Sequence, residues 1–351
     1  MRLAEHLAGV PADLAVLALV NPAREQLYSL SRLSERAELI ATGITFGAVH
    51  RSLGLARLIR AANAAVLYAP YPMFLPLLCP CPVVVTAHDA TVESDPAFAG
   101  SRRRQLGFKI VTGASLHRAS AVTTPTMSSS FLLRQFYPGT RNLTVIPNGV
   151  DADAFTAVSG AAVAEGRRRY GLPERFVLAV GAHRPHKNYE TLLKAMSLMP
   201  GDVPLVIVGC LDPAFRSPVP SLVDSLGLAD RVRLVPAVGD DWLPALYRAA
   251  SAFALPSLAE GFGLPALEAM AAGVPLVASD IPVLREVCAG AAALVPPRDA
   301  AAWAAALTTA LAGGHAVAER VRAGAAVAAA ATWERGGRAL GELLTAVARS
   351  H

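Results

Sequence analysis

Short apolar runs alternate with longer amphipathic segments along nearly the whole chain. Runs such as Val83 to Ala87 and Leu205 to Val208 contain aliphatic and β-branched residues, which is typical of strands that are buried on both faces. The segments between such runs, for example Ser101 to Arg118, have the length expected of helices. Because strands and helices alternate, the pattern predicts parallel sheets with right-handed crossovers, and therefore an α/β fold.

The alternation forms two series, and at 351 residues the chain is long enough for two domains. The first series has predicted strands at 13–20, 37–44, 65–68, 83–87, 121–124 and 143–146, and predicted helices at 2–9, 46–61, 101–118 and 128–137. The second has predicted strands at 176–180, 205–208, 232–235, 252–255, 275–278 and 293–295, with helices between them. Between the two series the apolar pattern becomes irregular over about 151–170, which predicts a connecting loop. We expect a first Rossmann-like domain over 1–155, completed by a C-terminal helix within 333–351, and a second over 156–332.

The stretch from Ser257 to Asp280 contains the most informative pattern in the chain. A buried strand at 252–255 leads into Glu260-Gly-Phe-Gly263, and a helix with Pro265 near its first position follows. The unpaired amides at the start of that helix favour an anion, and the glycines allow a phosphate to approach the main chain closely. The amides concerned belong to Gly261, Phe262, Gly263 and Leu264.

Two carboxylates flank this anion site, Glu260 in the loop and Glu268 in the helix. A carboxylate beside a phosphate is well placed only if it serves another part of the ligand. Adjacent hydroxyl groups of a ribose or hexose are suitable partners, because charge-assisted hydrogen bonds are stronger than neutral ones. The pattern therefore favours a ligand built from sugar, phosphate and sugar. An ordinary strand-turn-helix whose acidic residue favours the helix dipole is the structural alternative.

The arrangement resembles the E-x7-E signature of the retaining glycosyltransferases of family 4, and the match continues from Gly273 to Asp280. The resemblance implies the GT-B fold, in which two Rossmann-like domains face a cleft. It also implies that a nucleoside diphosphate sugar places its ribose on Glu268, its sugar hydroxyls on Glu260 and its diphosphate near Gly263. The acceptor attacks from the front face in such enzymes, so no side-chain nucleophile is expected. The sequence contains no H-x-x-E-H, H-E-x-x-H or paired C-x-x-C motif, so no metal is expected, and no cofactor is expected besides the donor.

A second candidate element is the loop from Gly181 to Asn188, which follows the first strand of the second domain and contains Arg184, His186 and Lys187. Cations in such a loop can stabilise the negative charge that develops on a departing diphosphate. The loop resembles the R/K motif of the family, with Lys187 at the lysine position. Ala182 occupies the position where an arginine is often found, so we expect Arg184 or His186 to substitute for it. A surface loop that merely caps a helix is the alternative.

His88 ends an apolar strand in the first domain and is followed by Asp89. In the family a histidine here contacts the transferred sugar. We therefore expect His88 to orient the sugar by donating a hydrogen bond to a hydroxyl group in either protonation state. A loop histidine that makes only local hydrogen bonds is the alternative.

One departure from the family concerns the beginning of the chain. Members normally start with a strand and a glycine-rich loop before a helix that resembles residues 2–9, whereas this sequence starts at the helix. Either the start codon is assigned too late or the first domain lacks its first strand. This departure, with Ala182, motivates an alternative function as a non-catalytic carbohydrate-binding or scaffold subunit. A GT-B epimerase or phosphorylase is a weaker alternative.

The net charge of +5 favours an anionic partner, which could be a nucleotide sugar, a lipid surface or nucleic acid. The densest basic cluster, Arg102 to Arg104 with Lys109, opens a predicted helix that has no interleaved aromatic platform, so we expect no nucleic-acid binding. The cluster is interpreted as a solvated helix face or as a site of attraction to anionic lipid.

Several patterns exclude other classes of protein. Prolines interrupt the uncharged stretch 63–87, no other segment predicts a spanning helix, and the N-terminus lacks a signal-peptide pattern. We therefore expect a cytoplasmic protein with peripheral contact at the inner membrane surface. Asp151-Ala-Asp153 is interpreted as linker, and Cys79-Pro-Cys81 is a weak metal motif without a second half.

The predicted function is retaining transfer of a hexose, commonly mannose in the family, to a glycan or lipid-linked acceptor.

Overall fold

A computed structural model describes residues 5–7, 10, 11, 15–20, 37–41, 49–72, 79–212, 214–236 and 238–350. The chain divides into two compact units. The first unit comprises residues 1–93, 103–149 and 333–351, and the second comprises residues 94–102 and 150–332. Every strand pairing between the strands described below is parallel, which confirms the predicted α/β class.

The described elements alternate as the hydrophobic pattern predicts. The strands are β1 (Leu17–Val20), β2 (Glu38–Ala41), β3 (Leu67–Ala69), β4 (Val83–Thr86), β5 (Ala121–Thr124), β6 (Leu143–Val145), β7 (Val177–Val180), β8 (Leu205–Val208), β9 (Val232–Val235), β10 (Ala252–Leu255), β11 (Leu276–Ser279) and β12 (Ala293–Val295). The helices are α1 (Val49–Ala61), α2 (Thr91–Ser94), α3 (Pro96–Ala99), α4 (Arg102–Arg118), α5 (Met127–Phe136), α6 (Ala152–Thr156), α7 (Gly160–Tyr170), α8 (Tyr189–Leu198), α9 (Val219–Ser225), α10 (Leu243–Ala249), α11 (Leu264–Ala271), α12 (Pro282–Cys288), α13 (Ala300–Ala312), α14 (His315–Ala330) and α15 (Trp333–Arg349).

The first unit contains a two-stranded sheet, β1-β2, and a four-stranded sheet in the order β3-β4-β5-β6. The predicted helix at 2–9 and the outer parts of the predicted elements at 13–20, 37–44 and 46–61 lie largely outside the described residues. The expectation that the family's first strand has no counterpart therefore stays a prediction. In the four-stranded sheet Val83 and Val85 pack with Leu133 of α5 in one apolar cluster, and β4 carries the chain to His88.

The predicted connecting loop over about 151–170 is wrong, because most of these residues form the helices α6 and α7. Asp151 Oδ1 accepts a hydrogen bond from the amide of Ala154, and Ser159 Oγ accepts one from the amide of Ala162. Gly171, in the left-handed conformation with φ of 58°, ends α7. These caps stabilise helices that the alanine- and glycine-rich pattern did not reveal, and Asp151 acts as a cap rather than as plain linker.

The second unit is built on a six-stranded sheet in the order β12-β11-β10-β7-β8-β9. Alternate residues of a strand face opposite sides, so Phe253 of β10 packs in one apolar layer while Ala252 and Ala254 pack in the other. The chain runs outward from β7 through β8 to β9 and then returns to β10 on the other side of β7. The strand order thus reverses between β7 and β10, and ligands of open α/β sheets bind beyond the carboxyl ends of the strands at such a point.

Within the described residues, no single helix is both long and apolar enough to cross a membrane. The segments Ala300–Ala312 and His315–Arg349 meet that requirement only when taken together, and they are bent by 88° relative to each other.

Candidate active site

The loop after β7 is fixed to two neighbouring loops through one asparagine. Asn188 has the left-handed conformation, with φ of 55°, and ends the 3₁₀ turn Pro185–Lys187. Its side-chain amide donates to the carbonyl groups of Pro256 (2.9 Å) and Pro297 (2.7 Å), which follow β10 and β12. The buried side chain of Asn188 therefore holds the preceding residue, Lys187, against the loop that follows β10.

Lys187 and Glu260 form an ion pair at the reversal of the strand order. Lys187 Nζ lies 2.7 Å from Glu260 Oε1, and the two side chains are only 14% and 11% exposed. Ser257 Oγ also donates to Glu260 Oε1, at 2.6 Å. Water screens this pair less than it would screen a surface pair, so both charges are fixed in position and effective at short range.

The start of α11 lies directly after Glu260 in the chain. Gly263 occupies the N-cap position with φ of 84° and ψ of 44°, and no side chain of the described residues caps the helix there. The backbone angle favours glycine, and a Cβ atom at this position would approach Leu284 Cδ2 to 2.6 Å, so the Leu284 side chain or the backbone would have to move. The turn into α11 also contains Gly261, Phe262 and Leu264. The N-terminus of α11, which is the positive end of its helix dipole, therefore follows the loop that carries Glu260.

Glu268 lies in the second turn of α11, where a buried tyrosine holds its carboxylate. The hydroxyl group of Tyr247 donates to Glu268 Oε2 at 2.7 Å. Burial raises the pKa of Tyr247 well above its usual value, and the charge of Glu268 raises it further. Tyr247 therefore remains a hydrogen-bond donor at all moderate pH values, and it orients a carboxylate that is itself only partly buried.

His186 lies in the same 3₁₀ turn as Lys187. Its carbonyl group accepts a hydrogen bond from the amide of Leu258 at 2.7 Å, and its ring meets Phe98 edge-on at 5.8 Å. Burial lowers the pKa of His186 to about 4, and the charge of Lys187 contributes to this shift. Its buried Nδ1 has no hydrogen-bond partner within the described chain. At neutral pH His186 is thus an uncharged ring next to the ion pair in the ligand-free chain, and its expected substitution for the arginine stays a prediction.

Arg184 extends toward the loop after β8. Its Nε donates to Asp212 Oδ2 at 2.8 Å, and its guanidinium lies 5.9 Å from the ring centre of Phe215. The structure thus joins Lys187 and Glu260 directly, whereas Arg184 is bonded to an acid outside the predicted set. Its role in stabilising a diphosphate stays a prediction.

His88 belongs to the first unit and follows β4. Its Nε2 lies 3.0 Å from the carbonyl oxygen of Pro70, which can only accept, so Nε2 carries the proton. Burial lowers the pKa of His88, and the neutral ring then presents an acceptor at Nδ1. The expectation that this ring donates to a ligand in either protonation state is therefore wrong for the neutral form, and a sugar hydroxyl would have to donate to it.

Three residues that position the site were not among the predicted site residues. Ser257 bonds Glu260, Tyr247 bonds Glu268, and Asn188 ties the loops together. Within the described residues no group of three or more histidine, cysteine, aspartate or glutamate side chains is arranged to hold a metal ion.

Two sequence families match this chain in succession. Residues 2–154 match the family described as Glycosyltransferase Family 4, and residues 165–327 match the family described as Glycosyl transferases group 1. The D-inositol 3-phosphate glycosyltransferase of Salinispora arenicola is 37% identical over 247 residues, which are 64% of this chain and 54% of that protein. The MMP alpha-(1->4)-mannosyltransferase of Mycolicibacterium hassiacum is 33% identical over 232 residues, 62% of this chain and 54% of that protein. The O-antigen chain mannosyltransferase RfbU of Salmonella typhimurium is 38% identical over 134 residues, 38% of each chain.

The chain spans about half the length of the first two of these relatives and a smaller part of the third.

Solved structures resemble nearly all of this chain. Sucrose-phosphate synthase from Thermosynechococcus elongatus has a TM-score of 0.75 and 25% identity, and the match covers 90% of this chain and 85% of that one. Anabaena HepE in complex with UDP and glucose has a TM-score of 0.76 and 21% identity, and the match covers 94% and 92%. These likenesses agree with the fold derived from the strand order of the two units.

Proposed function

Because this chain belongs to the family 4 glycosyltransferases, which have the GT-B fold, we propose that it transfers a hexose from a nucleoside diphosphate sugar with retention of configuration. The acceptor in this proposal is a glycan or a lipid-linked sugar, and mannose is the preferred sugar. Two of the relatives are named as mannosyltransferases, which supports mannose. HepE was solved with UDP and with glucose, which supports a nucleoside diphosphate donor.

The observation that carries this proposal is the pairing of Lys187 with Glu260 beside the start of α11. Departure of a nucleoside diphosphate places negative charge on the phosphate oxygens. The ammonium of Lys187 and the amides at Gly263 provide a cation and a helix N-terminus for that charge. Both are held in position before the reaction, so little reorganisation accompanies bond cleavage.

The carboxylates then serve the two sugars of the donor. Glu268, fixed by Tyr247, accepts hydrogen bonds from the ribose hydroxyls, and Glu260 accepts them from the hydroxyls of the transferred sugar. In a front-face reaction the bond from the anomeric carbon to the diphosphate oxygen breaks as the acceptor oxygen attacks from the same side. The acceptor's proton passes to the departing phosphate, so the protein needs no nucleophile.

The proposal can be tested with the purified chain and a panel of guanosine and uridine diphosphate sugars. Release of nucleoside diphosphate and formation of an α-linked product are measured by chromatography and NMR. Lys187→Ala should lower kcat/KM by about 10²–10³, as is typical when one group that stabilises developing charge is removed. Glu268→Ala removes the proposed hydrogen bonds to the ribose and should lower kcat/KM at least about tenfold, mainly by raising KM. If both variants retain near-native kcat/KM, the proposed site is wrong.

Binding and turnover are measured separately, because a carbohydrate-binding subunit would show the first without the second. A ligand at about 100 times its Kd should stabilise the folded chain by about 2.7 kcal/mol, which a thermal shift detects. Stabilisation by one nucleotide identifies the base of the donor. Stabilisation without turnover in the presence of glycan acceptors would contradict the enzymatic proposal.

A further inference from the structure

One segment of the first unit accounts for the net positive charge of the chain. Residues 103–149 contain six arginine and lysine residues and no aspartate or glutamate. The remaining 26 of the 32 basic residues are outnumbered by all 27 acidic residues, so the net charge of +5 comes from this segment alone. The basic residues concerned are Arg103, Arg104, Lys109, Arg118, Arg134 and Arg141.

Helix α4 lies in this segment and exposes two large aliphatic side chains. Leu106 is 60% exposed and Ile110 is 63% exposed, and their spacing of four residues places them on one face of the helix. The inward face carries Leu116 together with the polar residues Thr112 and Ser115, and Ser115 Oγ donates to the carbonyl of Pro72 at 2.7 Å. The outer face of a surface helix normally carries polar and charged residues, so Leu106 and Ile110 depart from the usual pattern.

The next helix shows a similar feature. Met127 and Phe131 of α5, also four residues apart, are 51% and 68% exposed. Helices α4 and α5 connect β4 to β5 and β5 to β6, and successive right-handed crossovers in one direction lie on the same side of the sheet. The two helices meet where Lys109 Nζ lies 5.2 Å from the ring centre of Phe136. We refer to the exposed side chains of these two helices as the basic-apolar face: Arg103, Arg104, Leu106, Ile110, Met127 and Phe131.

We propose that the basic-apolar face docks onto the surface of a bilayer that contains anionic phospholipids. Arginines at the level of the headgroups bind lipid phosphates, and the aliphatic side chains enter the boundary with the acyl chains. The charge argues against the other occupants. Two copies of this face would repel each other, since neither carries an acidic residue from the segment. Nucleic acid would meet Leu106 and Ile110, which offer no surface on which a base can stack.

The test is co-sedimentation of the full chain with vesicles. We expect binding to vesicles with about 30% phosphatidylglycerol in phosphatidylcholine, weak binding to pure phosphatidylcholine, and a decrease with rising salt. Each arginine removed should weaken binding about fivefold, so Arg103→Gln with Arg104→Gln should weaken it about 25-fold. Arg322→Gln, an exposed arginine on α14 in the second unit, is the matched control and should change nothing.

A second variant tests the apolar part of the face. Leu106→Ser with Ile110→Ser removes exposed side chains, so folding should be unaffected, and vesicle binding should fall at least tenfold. Leu198→Ser on α8, which is 58% exposed, is its control. Wild-type vesicle binding by the Leu106/Ile110 variant would overturn the proposal. So would a dimer that this variant disrupts, or binding of RNA in place of vesicles. None of these measurements requires transfer activity, so failure here is distinguishable from failure of the proposed function.

Discussion

The hydroxyl group of Tyr247 donates a 2.7 Å hydrogen bond to Glu268 Oε2 from a fully buried position between Phe155 and Phe253. The two aromatic contacts, at 5.6 Å and 5.0 Å between ring centres, fix the direction of the tyrosine ring. One oxygen of the carboxylate is therefore directed by the core of the second unit. The catalytic proposal needs such control, because a ribose can be held only by a carboxylate whose rotamer is set in advance.

Tyr247→Phe tests whether this bond positions Glu268 for the nucleotide. The ring remains, but the carboxylate loses a charge-assisted hydrogen bond of about 1.5–3 kcal/mol. We expect the Kd of the nucleoside diphosphate and the KM of the donor to rise about tenfold or more, with a smaller change in kcat. Isothermal titration and initial-rate kinetics measure these quantities.

The control for Tyr247→Phe is Tyr68→Phe in the first unit. Its hydroxyl group also makes one partly buried hydrogen bond, with Thr86 at 2.8 Å. Tyr68→Phe should lose about 1 kcal/mol of unfolding free energy and Tyr247→Phe about 1.5–3 kcal/mol, but only Tyr247→Phe should weaken nucleotide binding. Equal nucleotide affinity in both variants would mean that Tyr247 has only a structural role.

The Lys187 and Glu260 pair predicts a measurable coupling. Lys187→Met and Glu260→Gln keep the length and shape of each side chain while removing its charge. Each should lower kcat/KM by about 10²–10³. In denaturant unfolding, the two single variants and the double variant should give a coupling energy of about 1–3 kcal/mol, because the side chains are largely shielded from water. Additive effects on both stability and kcat/KM would show that the two groups act independently.

A further prediction concerns pH. The pKa of His186 is about 4 in the folded chain because of burial and Lys187, whereas an unfolded histidine titrates near 6.5. Between these values the unfolded state binds more protons, so the free energy of unfolding falls as pH is lowered from about 6.5 to about 4. His186→Gln removes this dependence. The loss of stability between pH 7 and pH 5 should be smaller in the variant by about 2 kcal/mol.

This pH effect is measured by urea unfolding without ligand, and His315→Gln is the control. His315 is 83% exposed beside Glu319, so its removal should leave the pH dependence nearly unchanged. His88 and His183, whose pKa values burial also lowers, are present in every protein compared and therefore cancel. A pH dependence in His186→Gln equal to that of the wild type would contradict the assignment.

The sequence predicted the principal loops of the second unit because their signals are local. Lys187 and Glu260 each follow a short apolar strand, and such strands of a parallel sheet end at the same edge. The sequence could therefore predict that Lys187 and Glu260 lie close together, but not that they form a direct ion pair. The role of Tyr247 could not be anticipated, because in the sequence it fits the apolar face of a predicted helix and nothing marks its hydroxyl group. Its hydroxyl group becomes significant only when that helix packs against α11.

Fold prediction failed where short polar residues determine the local structure. Asp151 and Ser159 each cap a helix that the apolar pattern did not reveal, and Gly171 ends the second of them. Hydrophobic periodicity detects faces that are buried, whereas capping depends on single hydrogen bonds to backbone amides. The exposed aliphatic residues of α4 were also missed. The sequence shows its basic residues, but only the packing shows that Leu106 and Ile110 lie outside.

Gly263→Ala tests the geometry of the corner between β10 and α11. An alanine with φ near 84° costs about 1–3 kcal/mol of stability, since the left-handed conformation brings Cβ against the backbone. The new methyl group would also meet Leu284 Cδ2 at 2.6 Å, so either Leu284 moves or the first turn of α11 shifts. A shift of that turn displaces the amides proposed to bind the diphosphate. We expect thermal unfolding at a lower temperature together with at least tenfold weaker nucleotide binding.

Gly160→Ala, which adds a methyl group to open space at the start of α7, is the control and should lower neither the unfolding temperature nor the nucleotide affinity. If Gly263→Ala is destabilised but binds nucleotide with wild-type affinity, the diphosphate does not lie at this helix terminus.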